Sequence, residues 1–167
     1  MLIGLLSDTH GWLDPTLERH FKQCDEIWHA GDLGPEVAND LQRWKPLRAV
    51  FGNIDDSATQ HQFPEHYRIT IDGISFWMTH IGGSPPTYHP AVRSSLNTQP
   101  PDVFICGHSH LAKAYRDPEK RNMLFLNPGA AGQHGFHRMR TAMRIQIAGG
   151  KISSLELIEL GLRGKLT

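Results

Sequence analysis

Residues 1–32 have the sequence MLIGLLSDTHGWLDPTLERHFKQCDEIWHAGD, and this stretch determines the expected fold class. The apolar runs at 1–6 and 26–30 are short and continuous, which is typical of strands buried on both faces. Between them, Asp14 and Pro15 predict the start of a helix with one apolar side. A strand, a helix and a second strand predict a right-handed crossover and therefore a parallel sheet.

The pattern of strands and helices continues farther along the chain. Apolar runs at 47–51, 102–106 and 123–126 predict three more strands, and helices are expected from Pro35 and near 90–97. Two hairpins are expected because alternating apolar residues flank two turn sequences. These turn sequences are Asp72-Gly73 and Gly149-Gly150. The result is an α/β fold with two sheets flanked by helices, in a single domain over residues 1–167.

Composition and charge restrict the function classes. Hydrophobic residues make up 39% and charged residues 20% of the chain, which is typical of a globular domain. Lys plus Arg and Asp plus Glu both number 17, so no net charge attracts nucleic acid or an anionic membrane. We find no leader and no apolar stretch of membrane length, so we expect a cytoplasmic protein without a membrane partner. Cys24 and Cys106 are expected to be reduced thiols.

Side chains that can bind metal ions directly follow five of the predicted strands. Loops from several strands converge outside the carboxyl ends of an open α/β sheet, which is where ligands bind. Glycine at 31, 52 and 107 precedes three of these side chains and permits a sharp turn close to a ligand. The candidate metal ligands are Asp8, His10, Asp32, Asn53, His80, His108 and His110.

The chemistry of these donors indicates a catalytic metal site. Carboxylate and amide oxygens with imidazole nitrogens, and no thiolate, suit Mn, Fe, Co, Ni or Zn rather than a structural zinc site. Seven donors exceed what one octahedral ion needs when water stays in its shell. Two ions that share one carboxylate would use them all. The sequence therefore predicts two divalent metal ions, with Mn expected.

The motifs DTH, GD, GNID, TH and GHSH, in this order, resemble those of the calcineurin-like metallophosphoesterase superfamily. The similarity is greatest to its small prokaryotic phosphodiesterases, and the NPG sequence at 127–129 also fits them. The resemblance implies a four-layer αββα sandwich of two mixed β-sheets flanked by helices. It assigns Asp8, His10, Asp32 and His110 to one ion, and Asp32, Asn53, His80 and His108 to the other. It also implies that Asp32 bridges the ions and that a bridging hydroxide attacks the phosphate.

The chain departs from the superfamily at the position where many members have a histidine that protonates the leaving group. Ile54 stands there and cannot donate a proton, so a diester or an activated ester is the better substrate prediction. Asp55 beside it is the candidate catalytic carboxylate. The family often has THGH at the next motif, whereas here Thr79-His80 is followed by Ile81-Gly82-Gly83, so the second histidine is missing. The loop histidines that could instead supply a proton are His61, His66, His134 and His137.

Each motif has a simpler structural explanation when it is taken alone. Asp8 could cap a helix, and Asp32 and Asn53 could be turn residues that bond their own backbone. The two histidines of GHSH have no obvious packing purpose, so they favour metal binding most strongly. His29 lies inside an apolar run and is expected to be a hydrogen-bonded core residue. The arginines at 138, 140 and 144 are expected to be solvated rather than to bind phosphate.

Three functions compete on this evidence. The leading hypothesis is a metal-dependent phosphodiesterase that hydrolyses a small phosphate ester, as a monomer or a homo-oligomer. The main alternative is a non-catalytic scaffold or binding protein on the same fold, although the chain keeps all seven ligands. A nuclease is disfavoured because binding of polynucleotides draws on many Lys and Arg contacts to phosphate, and this chain has no excess of cations.

Overall fold

Two five-stranded β-sheets pack face to face in the computed structural model, which describes residues 1–164. The strands are β1 (Leu2–Leu6), β2 (Glu26–His29), β3 (Leu47–Ala49), β4 (His66–Ile71), β5 (Ile74–Thr79), β6 (Val103–Ile105), β7 (Ala112–Asp117), β8 (Met123–Pro128), β9 (Met139–Ala148) and β10 (Lys151–Leu162). The α-helices are α1 (Thr16–Phe21), α2 (Val37–Trp44), α3 (Ser57–Gln62) and α4 (Pro90–Thr98). A 3-10 turn occupies Pro118–Lys120.

Each sheet mixes parallel and antiparallel strands. The first sheet has the order β10-β9-β1-β2-β3, in which β1, β2 and β3 are parallel, as the first third of the sequence predicts. The second sheet has the order β4-β5-β6-β8-β7, with parallel strands in the centre and antiparallel strands at both edges. The two predicted hairpins are β4–β5 and β9–β10.

Three apolar clusters establish the order of the layers. Alternate side chains of both sheets, such as Leu5 and Met78, meet in a central cluster. The opposite face of the first sheet packs against α1 and α2, where a Cβ added at Gly4 would lie 2.7 Å from the Phe21 ring. The outer face of the second sheet packs against α4 around Phe104. The predicted four-layer αββα sandwich is confirmed.

The helices and edge strands differ from the predictions where no apolar period marks them. Helix α1 begins at Thr16, one residue later than expected, although the Asp14 carboxylate still accepts the Thr16 N–H at 2.8 Å. Helix α3 was not predicted because it buries no side chain, and its N-cap Asp56 accepts the N–H of Thr59. Strand β7 was missed because five of its six residues are exposed. Within residues 1–164, every helix is too short or too polar to cross a membrane.

Both cysteines are buried and unpaired, as predicted. Burial raises the pKa of the Cys24 thiol to about 11 and that of the Cys106 thiol to about 12. Each thiol is therefore protonated at neutral pH and packs as a small apolar side chain. The absence of thiolate from the predicted ligand set agrees with this protonation state.

Candidate metal centre

The predicted metal ligands lie on loops that leave the carboxyl ends of strands in both sheets. In the first sheet, β1 leads to Asp8 and His10, β2 to Asp32, and β3 to Asn53. In the second sheet, β5 leads to His80, and β6 to His108 and His110. Since the two sheets pack face to face, their loops meet along one edge of the sandwich. Carboxylates from the first sheet thereby meet histidines from the second.

Asp8, His10 and His110 form the first donor group, with one ligand atom from each within 4.8 Å of the others. The Nε2 atom of His110 lies 3.1 Å from Asp8 Oδ1 and 3.4 Å from His10 Nε2. Adjacent donor atoms that share one ion at about 2.1 Å are about 3.0 to 3.4 Å apart, so the two contacts of His110 fit a common ion. His10 Nε2 lies farther from Asp8 Oδ1, at 4.0 Å.

Asp32, His80 and His108 form the second donor group, also within 4.8 Å. The Oδ2 atom of Asp32 is 3.2 Å from His80 Nε2 and 3.7 Å from His10 Nε2, which belongs to the first group. Asp32 therefore lies between the two groups. Asn53 is exposed and lines the same cavity as Asp32 and His108.

Two buried polar atoms in this cluster, Asp8 Oδ1 and His80 Nε2, have no hydrogen bond of acceptable geometry, although they lie 3.1 and 3.2 Å from His110 Nε2 and Asp32 Oδ2. The other side of each group is satisfied. Asp8 Oδ2 accepts the backbone N–H of His108 at 3.1 Å, and His80 Nδ1 lies 2.7 Å from the carbonyl of Ala30. Without an ion, burial lowers the pKa of His80, but the adjacent Asp32 and Asp8 outweigh it and raise this pKa. In a neutral, metal-binding His80 ring the second contact would keep the proton on Nδ1 and leave the Nε2 lone pair facing the carboxylates. Such a set of opposed acceptors fits divalent metal ions.

Neighbouring charges keep the two carboxyl groups ionised. Burial raises the pKa of Asp8, but the adjacent His110 ring and the charge of His80 outweigh it and hold this pKa below its ordinary value. The pKa of Asp32 is likewise lowered, because contacts with His80 outweigh burial. Burial lowers the pKa of His10, which favours the neutral ring that binds metal. The carboxylates are therefore available as ligands at neutral pH.

The backbone of most predicted ligands adopts the left-handed conformation, which is uncommon outside glycine. It costs about 1–3 kcal/mol per residue and concentrates at functional sites. This conformation departs from extended geometry, as the DTH and GHSH spacing requires for chelation. The ligands with positive φ are Asp8 (55°), His10 (49°), Asp32 (56°), His108 (67°) and His110 (61°).

Two glycines leave room for the carboxylates. A Cβ added at Gly52 would lie 2.0 Å from Asp32 Oδ1. One added at Gly107 would lie 2.1 Å from Ser7 Oγ and 2.8 Å from Asp8 Oδ2. Only hydrogen fits at these points, so the glycines that precede Asn53 and His108 are required by close packing in addition to the turn.

Asp55 holds the loops beneath the ligands. Its Oδ1 accepts the N–H of Gly34 at 2.9 Å, and its Oδ2 accepts those of Leu33 and Gly52 at 3.2 and 2.8 Å. These bonds tie the loop that carries Asp32 to the loop after β3. Its contacts support a positioning role, and the predicted catalytic role of Asp55 stays a prediction.

Asn127 is a supporting residue that sequence reasoning missed. Its Nδ2 donates to the Gly107 carbonyl at 2.8 Å and to Ser109 Oγ at 3.0 Å, and its Oδ1 accepts the N–H of Gly129 at 2.9 Å. The side chain thus fixes the GHSH loop against β8. The available signal was the NPG sequence at 127–129, which fits the resembled family.

Several polar residues that the sequence predicts to lie outside the site have structural partners. His29 is fully buried, within hydrogen-bond distance of Thr9 Oγ1 and accepting the Gly31 N–H, and burial lowers its pKa to about 3. It is the hydrogen-bonded core residue that we expected. Arg140 pairs with Asp14, and Arg144 pairs with Glu156 at 2.6 Å.

A cavity of about 410 Å³ opens above the donor groups, and residues 134–137 form part of its wall. The His134 ring lies 5.0 Å from the His10 ring, and the His137 ring lies 5.3 Å from the His110 ring. The structure thus brings these two loop histidines to the site. His61 instead lies on α3 beside the Ser57 carbonyl, and His66 packs against Trp77 in a neighbouring cavity. A larger cavity of about 660 Å³ lies apart from the ligands, between α1 and α2.

Residues 1–150 match the calcineurin-like phosphoesterase superfamily domain. The chain belongs to this superfamily. The match covers most of the chain and includes every predicted ligand, so the resemblance that the motifs indicated is confirmed. Membership supports phosphoester hydrolysis that depends on divalent metals, in agreement with the two donor groups of this phosphoesterase.

Solved structures share the fold of this phosphoesterase. Wild-type Vps29 from Entamoeba histolytica, complexed with Zn²⁺, aligns with a TM-score of 0.71 and 19% identity over 96% of this chain and 100% of that chain. A predicted phosphoesterase from Streptococcus pneumoniae aligns with a TM-score of 0.69 and 22% identity, over 99% of this chain and 94% of that chain. An archaeal phosphodiesterase aligns with a TM-score of 0.70 and 20% identity, over 95% of this chain and 99% of that chain. No curated protein sequence matches the chain. At these identities the likeness shows the fold alone.

Proposed function

We propose that this phosphoesterase is a phosphodiesterase with a binuclear centre, and that it hydrolyses a small phosphate ester. The observation that carries the proposal is the pair of buried atoms without hydrogen-bond partners, Asp8 Oδ1 and His80 Nε2, within two groups of opposed donors. An unpaired buried polar group costs about 1–3 kcal/mol, and a bound ion would satisfy both of these atoms at once.

The arrangement of donors supports two ions that share Asp32. The proposed ligands are Asp8, His10, Asp32 and His110 for one ion, and Asp32, Asn53, His80 and His108 for the other. When bound, the ions would supply Lewis-acid stabilisation of the phosphoryl oxygens and lower the pKa of water enough to provide a nucleophile near neutral pH. We propose Mn²⁺, with Fe, Zn, Ni and Co as the alternatives that the same donors accept. The Zn²⁺ complex of the Vps29 neighbour makes Zn the first alternative to compare.

The protein's own residues hold this centre and shape the substrate preference. Asp55 and Asn127 fix the loops that carry Asp32 and His108, so the donors stay in place without a bound substrate. Ile54 occupies the expected proton-donor position and is 46% exposed in the cavity. A diester with a good leaving group needs little protonation as it departs, which is why we propose a diester rather than a monoester.

The test combines metal analysis with a comparison of two substrates. Protein purified without added metal is analysed for its elements, stripped with chelator and reloaded with Mn²⁺. We expect two ions per chain, and faster hydrolysis of bis(p-nitrophenyl) phosphate than of p-nitrophenyl phosphate. His108→Ala is expected to lose one ion and most of the activity, whereas the control His20→Ala, at a half-buried position on α1, keeps both. One ion per chain, or equal activity after chelation, would contradict the proposal.

The remaining predictions are unchanged by the fold. A non-catalytic binding role on the same fold stays the alternative. The seven retained candidate ligands favour hydrolysis over it. A nuclease stays disfavoured by the balanced charge of the chain. A cytoplasmic location, a single domain over 1–167 and possible homo-oligomers stay predictions.

A further inference from the structure

Three large apolar side chains are exposed at the cavity above the metal ligands. They are Ile54 (46% exposed), Leu111 (65%) and Phe136 (101%), and all three line the cavity that also contains Asp32 and His108. Single exposed apolar residues are ordinary on a protein surface. Three that converge on one cavity next to polar donors are typical of a ligand site.

These side chains come from three separate loops, and each loop is tied down close to the donors. The N–H of Ile54 donates to Asp32 Oδ1 at 3.1 Å, and Leu111 directly follows the ligand His110. Phe136 precedes His137, whose Nε2 lies 3.0 Å from the Gly132 carbonyl. We call Ile54, Leu111 and Phe136 the apolar rim. Its position relative to the donor groups is therefore set by the fold.

The charge of the cavity wall restricts what the apolar rim can bind. Among the described residues that line this cavity, none is Lys or Arg. A substrate with a second phosphate or carboxylate would find no cation there beyond the histidines and any bound metal. An uncharged apolar substituent would instead remove the exposed surface of the rim from water, which favours its binding.

We propose that the apolar rim binds one ester substituent of the substrate and selects an apolar, preferably aromatic, group on a phosphodiester monoanion. This inference rests on the proposed function, because the substituent is held by a phosphate at the metal centre. The aromatic preference follows from Phe136, whose freely exposed ring can stack on a flat substituent. The rim thus determines the specificity of the proposed reaction.

The first test uses two substrates with the same leaving group, methyl p-nitrophenyl phosphate and phenyl p-nitrophenyl phosphate, with the Mn²⁺-loaded protein. The quantity measured is the ratio of kcat/KM for the phenyl ester to that for the methyl ester. We expect Phe136→Ser to lower this ratio about fivefold and Leu111→Gln about threefold, since contacts of this size discriminate by about tenfold or more in enclosed pockets.

Matched controls come from exposed apolar residues outside the cavity. Tyr115→Ser on β7 and Leu162→Gln on β10 replace side chains that are 44% and 72% exposed, and both are expected to keep the wild-type ratio. A wild-type ratio in both Phe136→Ser and Leu111→Gln would overturn the inference and leave the proposed function intact.

The second test does not depend on turnover. Diphenyl phosphate and dimethyl phosphate are added to Zn²⁺-loaded protein, and the methyl resonances of Ile54, Leu111 and Leu157 are followed by NMR. We expect diphenyl phosphate alone to shift Ile54 and Leu111, with Leu157 on β10 unchanged. This result without hydrolysis of any diester would overturn the proposed reaction and support the rim.

The rim could instead cover a second copy of the chain, and light scattering separates the two occupants. A wild-type dimer that Phe136→Ser converts to a monomer, together with an unchanged substrate ratio, would overturn the proposal. An unchanged oligomeric state with a reduced ratio supports it.

Discussion

Strand β2 has acidic residues near both ends, and the two ends serve different purposes. At its start, the Glu26 carboxylate accepts hydrogen bonds from Nε and Nη2 of Arg48, at 2.5 and 2.8 Å, and from Trp28 Nε1 at 3.0 Å. Beyond its end, Asp32 faces the imidazoles of His10 and His80, beside the partnerless Oδ1 of Asp8. The first end is fully paired within the protein. The second end collects charges whose natural partner is a cation.

One end of β2 contributes to the stability of the fold, and the other end contributes to its proposed function. Arg48 also donates to the Tyr67 hydroxyl at 2.5 Å and so links the first sheet to the second, which makes the paired end part of the framework. The metal end contains left-handed ligand residues and unpaired buried atoms, which oppose folding until ions bind. Replacing an acid at the paired end should therefore reduce stability and spare activity, whereas replacing one at the metal end should do the reverse.

The largest expected effect is that of Asp32→Ala on hydrolysis. Removing the shared carboxylate should reduce kcat for bis(p-nitrophenyl) phosphate at least about 1000-fold, at the upper end of losses for a single electrostatic group. Calorimetric titration with Mn²⁺ should detect at most one ion per chain. Asp40→Ala on the exposed surface of α2 is the control and should retain wild-type values. Two tightly bound ions in Asp32→Ala would show that Asp32 is not shared.

The next largest effect is expected from Asp55→Ala, which should lower both the stability of the fold and the affinity for metal. Three buried N–H groups, those of Leu33, Gly34 and Gly52, would lose their acceptor. We expect the free energy of unfolding in urea to fall by about 3 kcal/mol, and metal affinity to fall about 10-fold to 100-fold as the loops loosen. Asp55→Asn keeps part of the acceptor capacity and should lose less. Unchanged stability in Asp55→Ala would refute the positioning role.

The difference between the ends also explains what the sequence could predict. Asp8, Asp32 and His108 were identifiable because each follows a buried strand within two or three residues, so the convergence of strand ends predicts their meeting. Ion pairs such as Glu26 with Arg48 could not be predicted, because the pairing depends on the register of β2 with β3. The chemistry of a motif is local, whereas a salt bridge between strands is not.

The rest of the site wall was beyond sequence reasoning for the same reason. Residues 132–138 lack a strand or helix period, so nothing in the sequence places Phe136 above the ligands or His134 beside His10. The contacts of Asp55 with the loop after β2 also arise only in the folded chain, since they span 21 and 22 residues. Helix α3 shows the limit for regular structure, because a helix without a buried face has no apolar period to detect.

A smaller effect is expected at the paired end, from Glu26→Gln. Its bonds with Arg48 hold the pKa of Glu26 below its ordinary value of 4.5, so the folded state favours the carboxylate. The stabilisation is thus present above about pH 4.5 and is lost as the pH falls through the lower folded pKa. We expect the variant to be about 1 kcal/mol less stable than wild type at pH 7, with this difference shrinking toward pH 3 and activity at pH 7 unchanged. A difference that grows on acidification would contradict this sign.

The smallest effect on stability is expected from Asp8→Asn, although this residue is as deeply buried as any in the chain. An asparagine oxygen can still accept the His108 N–H, while the buried charge at Oδ1 is removed. Because His110 and His80 hold the pKa of Asp8 below its ordinary value, removing this charge costs some stability at pH 8. We expect urea unfolding of the metal-free variant to show a loss of no more than about 1 kcal/mol, in contrast to the losses of about 3 kcal/mol or more that follow when a buried ion pair is broken. With Mn²⁺ present, the wild type should become clearly more stable than Asp8→Asn, because only the wild type gains stability from two ions. A loss above about 2 kcal/mol without metal would mean that Asp8 is paired in the folded protein, and that the contrast between the two ends of β2 does not hold.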